Sequence, residues 1–218
     1  MHEHRGVIAV FAKPPRPGEV KTRLASSVGP EPAAMLARAF FEDTWREVGE
    51  LAWARRVLAS TSEEVSLFGL EHVEVWLQGE GDLGARQARI AARALEIAPF
   101  VLAIGSDSPG LPRSVFEAAR AALIQHDAVI GPAEDGGYYL LGLRRSVPGL
   151  FDGLPWSSPT TFEAMKERLA SRGFSVTTIQ RWFDVDEAED LTRLARALET
   201  GEIDAPRTAE ALAVLGLR

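Results

Sequence analysis

The run Phe100-Val101-Leu102-Ala103-Ile104 is short, continuous and apolar, and it breaks off at Gly105-Ser106-Asp107-Ser108-Pro109-Gly110-Leu111-Pro112. An apolar run without polar alternation is the pattern of a strand buried on both faces, as in a parallel sheet covered by helices. Gly105 lets the chain turn or approach a ligand closely, and the prolines at 109 and 112 forbid continuation of the ladder. The carboxylate of Asp107 therefore stands at the carboxyl end of a central strand, where open α/β sheets bind their ligands. A simpler use for Asp107 is to cap the helix that begins near Pro112.

The remaining periodicities fit the same class. Gly6 to Ala12 is a second buried strand, followed in order by Arg55 to Ser60 and Val73 to Leu77. Pro30 to Leu51 carries Leu36, Phe40, Phe41, Trp45 and Val48 at helical spacing, and further helices are expected from the turn after Gln78 to Ala98 and over Arg113–Gln125. Asp127 to Ile130 and Tyr138 to Leu143 read as strands joined through an Asp-Gly-Gly turn. Thr160 to Ser171 reads as a helix capped by Ser158, Phe174 to Ile179 as a strand, Glu187 to Glu199 as a helix, and the remainder to Arg218 as a helical tail. With no repeat, linker or low-complexity tract, residues 1–218 are expected to form one domain.

Composition excludes several function classes. The chain has no cysteine, so thiolate nucleophiles, disulfides and cysteine-based zinc sites are ruled out, and a reducing cytoplasm suits it. No apolar run approaches the roughly 18 residues of a membrane span, and no export signal is read in Met1–Gly6. A net charge of −7 argues against a nucleic-acid surface, so any anionic ligand should be small and received by a local basic cluster.

One segment supplies that cluster. Lys13-Pro14-Pro15-Arg16-Pro17-Gly18-Glu19-Val20-Lys21-Thr22-Arg23-Leu24 follows the first strand; it carries four cations, and within it only Glu19 opposes them. Three prolines stiffen it, and together with a glycine they exclude regular structure as far as Gly18. A merely solvated loop needs neither the stiffening nor the strand-end position, whereas a di- or triphosphate cradle uses both.

A second loop, Gln78-Gly79-Glu80-Gly81-Asp82-Leu83-Gly84-Ala85-Arg86, matches Gly-x-Gly-x-x-Gly between a strand and a helix. A dinucleotide site of the NAD type is one reading. Against it, Glu80 and Asp82 would face a pyrophosphate with the wrong charge, and the fingerprint belongs to the first strand-helix turn. A turn passing close to a ligand's base or sugar, with Gln78 and Arg86 as polar contacts, fits better. Glu134 and Asp135, before the Gly136-Gly137-Tyr138 turn, could hold a hydroxylated substrate, although a hairpin without function would look the same. In Trp182-Phe183-Asp184-Val185-Asp186-Glu187 the two aspartates alternate along an extended segment, so one is expected to point inward while the other caps the next helix.

The basic loop, the glycine turn, Gly105-Ser106-Asp107-Ser108-Pro109 and Gly131-Pro132-Ala133-Glu134-Asp135-Gly136-Gly137-Tyr138-Tyr139-Leu140-Leu141-Gly142 together resemble the DUF2064 family. These glycosyltransferase-like proteins often accompany radical-SAM enzymes and belong to the nucleotide-diphospho-sugar transferase superfamily. The chain is more distantly similar to the molybdenum-cofactor and phospholactate guanylyltransferases, whose first loop ends in a comparable Lys-Thr-Arg-Leu. The resemblance implies a three-layer α/β/α, Rossmann-like GT-A fold with a mostly parallel mixed sheet. It implies a nucleotide over the carboxyl ends of the first strands; taken with the loops read above, the nucleotide is expected at Ala12, Lys13, Arg16, Lys21, Arg23, Gln78, Gly79, Gly81, Gly84 and Ser106, and an acceptor near Glu134, Asp135, Gly136, Gly137, Tyr138 and Trp156. It places Mg²⁺ or Mn²⁺ on Asp107 and Asp186, with Asp107, Lys21 and Arg23 in the catalytic roles. The Gly-Gly-x-x-x-Arg-Met opening of many sugar nucleotidyltransferases is replaced here by the proline-rich loop, which leaves the transferred group open. The expectation is a metal-dependent transferase taking a nucleoside triphosphate or sugar nucleotide and a small acceptor, with no nucleic acid or membrane partner and the oligomeric state open. A nucleotide-binding protein with little catalysis is the alternative outside the enzymes.

Overall fold

The computed structural model describes residues 6–217. Seven strands form one sheet: β1 (Gly6–Ala12), β2 (Ala54–Ser60), β3 (Val75–Leu77), β4 (Val101–Gly105), β5 (Ala128–Pro132), β6 (Tyr138–Leu143) and β7 (Val176–Thr178). Their spatial order is β3-β2-β1-β4-β6-β5-β7, and β6 alone among them runs antiparallel to its neighbours. The antiparallel strand follows from chain economy: Ala133–Gly137 is a short turn, too short for the crossover a parallel return would need. Among the described residues seven α-helices accompany the sheet: α1 (Thr22–Val28), α2 (Pro30–Gly49), α3 (Leu83–Leu95), α4 (Arg113–Gln125), α5 (Thr161–Ser171), α6 (Ala188–Glu199) and α7 (Pro206–Leu215).

The alternation of β1 shows why both sheet faces are covered. Val7 and Ala9 enter a core with Ile90, Ala91 and Ala94 of α3 and Phe162, Met165 and Leu169 of α5. Ile8 and Val10 enter a second core with Phe41, Trp45 and Val48 of α2 and Val115, Phe116 and Ala119 of α4. Leu24, Leu36 and Phe40 of α1 and α2 pack with Leu191 and Leu194 of α6 and Leu212 of α7 into a third cluster at the flank. Within that cluster Asp43 of α2 accepts the N–H groups of Arg207 and Thr208, satisfying free donors in the first turn of α7.

The helix starting at Thr22 is a departure from the extended basic loop, and α7 ends at Leu215, with Arg218 outside the described residues. Ser158 does not cap α5: Thr160 holds that position, without a side-chain bond to the helix. No helix among the described residues is long and apolar enough to cross a membrane.

Candidate nucleotide-binding cleft

Strands β1 and β4 lie side by side and end together, with Phe11 paired to Gly105. A cavity of about 470 Å³ opens over these strand ends. Of the residues expected to act, Ala12, Lys13, Lys21, Arg23, Gln78, Ser106, Asp107, Tyr138 and Asp186 line it.

Asp107 and Asp186 are brought together by the main chain. The Val185 N–H donates to the Asp107 carbonyl at 2.9 Å, tying the segment before α6 to the loop after β4. Val185 is fully buried in the flank cluster, so the flanking aspartates alternate away from that core. Neither caps α6, contrary to the sequence expectation. Glu187 is the N-cap in a capping box, and the Asp190 carboxylate accepts from the Asp186 and Glu187 N–H groups at 2.9 and 2.8 Å. Asp107 caps nothing either; Pro112 holds that position at α4 without a side-chain bond.

Both carboxylates meet at Lys21. Its Nζ lies 2.7 Å from Asp107 Oδ1 and 2.8 Å from Asp186 Oδ1, while Arg23 donates to Asp186 Oδ2 at 2.9 Å. The Lys21 side chain is only 4% exposed, so its ammonium depends on these two acids in place of water. Burial pulls the Lys21 pKa down, but the charges of Asp107 and Asp186 outweigh it and the net direction is up. Burial likewise pushes Asp186 up, and Lys21 and then Arg23 bring it below its ordinary value. Among the described residues Asp184 forms no ion pair; burial, with Asp135 and Asp186 adding repulsion, outweighs the weaker pull of Lys21 and raises it to about 6. Lys21 also adopts a left-handed backbone, φ 47°, which costs a non-glycine residue on the order of 1–2 kcal/mol.

The other expected contacts are distributed differently. Gln78 is buried, and its amide donates to Ala59 and Ala12 carbonyls at 2.8 and 3.4 Å, so its donors hold the ends of β2 and β1 together. Arg89 donates to the Gln78 and Glu80 carbonyls and clamps the turn that carries Gly79. Gly79, Gly81 and Gly84 are not cavity-lining; a side chain at Gly84 would meet the Trp156 ring and the Phe151 carbonyl, both closer than 3 Å. Arg16 turns outward to Glu64 and Glu19.

On the acceptor side Tyr138 alone reaches the cavity. Its hydroxyl donates to Gln87 Oε1 at 2.7 Å, and burial raises its pKa. Trp156 stands edge-on to Tyr138 at 6.4 Å, with a buried indole N–H that has no partner. Glu134 is tied to Arg193 at 2.5 and 3.0 Å, a bond that lowers its pKa. Asp135 accepts the Gly137 N–H at 2.7 Å, and Gly136 lies against the Pro159 carbonyl. These residues buttress the cavity wall from outside the lining. Sequence reading missed Gln87, although a glutamine on the buried face of α3 between Gly84 and Ile90 is the kind of irregularity that marks a polar anchor.

Among the described residues no set of three His, Cys, Asp or Glu side chains is placed to hold a divalent ion unaided. The pair Asp107–Asp186 nevertheless converges on one cation, the Lys21 ammonium, and Asp107 is half-exposed toward the cleft. Hard carboxylate oxygens meeting a positive charge fit Mg²⁺ or Mn²⁺ once Lys21 withdraws and phosphate oxygens complete the shell.

Comparison with known proteins places the fold in a lineage. A solved protein from Desulfovibrio desulfuricans G20, provisionally named a nucleotide-diphospho-sugar transferase, is 30% identical, with a TM-score of 0.86 over 97% of this chain and 96% of that one. The inositol-1-phosphate CTP transferase of T. maritima shares the fold at 13% identity, TM-score 0.58, over 96% of each chain. CMP:2-keto-3-deoxy-manno-octonic acid synthetase, solved with CTP, does so at 13% identity and TM-score 0.59, over 91% of this chain and 100% of that one. No functionally curated protein matches in sequence. The sequence profile described as "Uncharacterized protein conserved in bacteria (DUF2064)" matches residues 44–158, and with it the chain belongs to the DUF2064 family, on the nucleotide-diphospho-sugar transferase fold.

Proposed function

We propose that the protein is a transferase with a nucleotide donor, moving a nucleotidyl group to a small acceptor. The observation that carries this reading is the convergence of Lys21, Asp107, Asp186 and Arg23 over the ends of β1 and β4, in a cavity also lined by Lys13. The neighbours that act on or were solved with CTP support it by analogy of fold.

A triphosphate would lie along the basic loop, where Lys13, Lys21 and Arg23 donate to its oxygens. For Lys21 this means turning its ammonium from the two acids to the phosphates. An acceptor oxyanion then attacks the α-phosphorus, the bond from that phosphorus to the bridging oxygen of the β-phosphate breaks, and pyrophosphate leaves with the electron pair. Catalysis of such a transfer is mostly positioning and charge stabilisation, which the cations of the basic loop would supply. Mg²⁺ or Mn²⁺ on Asp107 and Asp186, when bound, would add Lewis-acid polarisation of the phosphoryl oxygens.

Glycosyl transfer is the second reading, favoured by the name given to the Desulfovibrio relative. The donor titration separates them. Binding of nucleoside triphosphates with Mg²⁺ and release of pyrophosphate in the presence of acceptors is expected. Release of a nucleoside diphosphate from a sugar nucleotide would instead favour glycosyl transfer, and binding of neither donor would overturn the transferase reading.

A further inference from the structure

Three arginines on α3 point to different fates. Arg89 is committed to the carbonyls of Gln78 and Glu80, and Arg93 lies over the Trp76 ring at 4.4 Å. Arg86 lines the cavity, and among the described residues its guanidinium meets neither a carboxylate nor a carbonyl. Its Nε is completely buried without a partner. Withdrawing a guanidinium donor from water without an acceptor is costly, and nothing in the local packing compensates it.

The adjacent Gln87 sharpens the point. It is buried and also lines the cavity, and its Oε1 is taken by the Tyr138 hydroxyl, so its amino group is the polar function left over. This wall therefore offers donors, which suit an oxyanion. It also lies apart from the Lys21 cluster in the layering of the fold. Helix α3 covers the sheet face of Val7 and Ala9, whereas Lys21 rests against Phe40 of α2, which covers the opposite face. A donor triphosphate held by the basic loop leaves Arg86 across the strand ends, facing whatever shares the cavity with it.

We propose that Arg86, with Gln87 beside it, is the oxyanion-binding arm for the acceptor, so that the acceptor is a small molecule carrying a phosphate or carboxylate group. The inference rests on the nucleotide-donor reading and specifies its second substrate. It moves Arg86 from the base-or-sugar contact suggested by its place after the glycine turn to the acceptor, because α3 covers the sheet face opposite to α2 and Lys21. Glu134 and Asp135, which sequence reading assigned to the acceptor, are engaged by Arg193 and by the Gly137 N–H.

The test titrates wild type, Arg86→Gln and Arg86→Lys with a nucleoside triphosphate and Mg²⁺, and then adds inorganic phosphate or acetate to the free and nucleotide-bound proteins. Arg86 makes no structural bond, so both variants should melt with the wild type. Nucleotide affinity should stay within about two-fold, while affinity for the added oxyanion falls about ten-fold or more in Arg86→Gln and by less in Arg86→Lys. Phosphate against acetate tells which oxyanion the arm takes. Equal oxyanion binding by Arg86→Gln, no oxyanion binding by the nucleotide-bound wild type, or loss of nucleotide affinity in the variant would each overturn the proposal, the last by assigning Arg86 to the donor. If the wild type binds no nucleotide yet binds phosphate through Arg86, the donor reading fails and the anion site stands.

Discussion

Lys21 is held to Asp107 by a 2.7 Å contact although the two residues come from different loops, and the same ammonium reaches Asp186 at 2.8 Å. One buried cation thus stands where two carboxylates would present an ion to a donor's phosphates. Lys21→Met should remove the cation without removing the packing. Breaking a buried pair costs about 3–5 kcal/mol, but Asp107 is half-exposed and Arg23 still serves Asp186, so a loss of roughly 1–3 kcal/mol is expected by chemical denaturation. The freed acids should bind Mn²⁺ about ten-fold more tightly than wild type in the absence of nucleotide, while nucleotide affinity falls. Unchanged Mn²⁺ affinity in calorimetry would mean that Lys21 and the ion do not compete for one place.

Asp107→Asn separates a ligand role from a structural one. The amide is nearly isosteric, and the contact joining the two loops uses the Asp107 main-chain carbonyl, which the exchange leaves in place. A melting temperature within a few degrees of wild type is therefore expected. A divalent ion would lose a formal charge from its shell, so the Mg²⁺-dependent part of nucleotide binding should disappear. Retention of that part, measured with Mg²⁺ against chelator, would remove Asp107 from the metal proposal.

The sheet was legible because its strands are buried on both faces: Gly6–Ala12, Val101–Gly105 and Tyr138–Leu143 are apolar where a helix would need a polar stripe. The position of Asp107 followed from the same logic. What the sequence hid was pairing between distant segments. The basic loop reads as four cations opposed by Glu19, yet Lys21, Arg23 and Arg16 find Asp186, Asp107, Glu187 and Glu64 from elsewhere in the chain. The capping box at Glu187 and Asp190 was similarly obscured by the more familiar cap residues Asp184 and Asp186 just before it. Gly84 has a packing reason of its own, the approach of Trp156 and the Phe151 carbonyl, a contact local spacing does not encode.

The far edge of the sheet should respond to pH through Asp127. Its carboxylate accepts the Ser175 N–H at 3.0 Å and pairs with Arg145 at 3.4 Å, and these, the backbone bond first, hold its pKa below the ordinary value of 3.8. A carboxyl depressed in the fold contributes stability that is fully present above the unfolded value and is lost as pH falls through the folded one. The group is about one-third exposed and screened by solvent, so the contribution should stay below about 1 kcal/mol. The melting-temperature gap between wild type and Asp127→Asn should be constant from about pH 7 to pH 5 and close below about pH 4. A gap that widens on acidification would contradict the assignment.

Gly136→Ala tests how the cavity's far wall is built. Gly136 has φ +88°, and an added Cβ would lie 2.0 Å from the Pro159 carbonyl oxygen, with the other near contacts also backbone. The turn is further fastened by the Phe162 N–H, which donates to the Gly136 carbonyl at 2.9 Å at the start of α5. The variant therefore carries two costs, a left-handed alanine at about 1–2 kcal/mol and a displacement of main chain that no rotamer can relieve. Gly153→Ala is the control, because Gly153 has φ +65° and nothing within 4 Å, so it incurs the conformational cost alone. Gly136→Ala should lose at least about 2 kcal/mol more than the control in denaturant unfolding, and the shift should reach Tyr138, two residues along, loosening its bond to Gln87. If the two variants unfold alike, the close approach of the turn to Pro159 is not what fixes this wall.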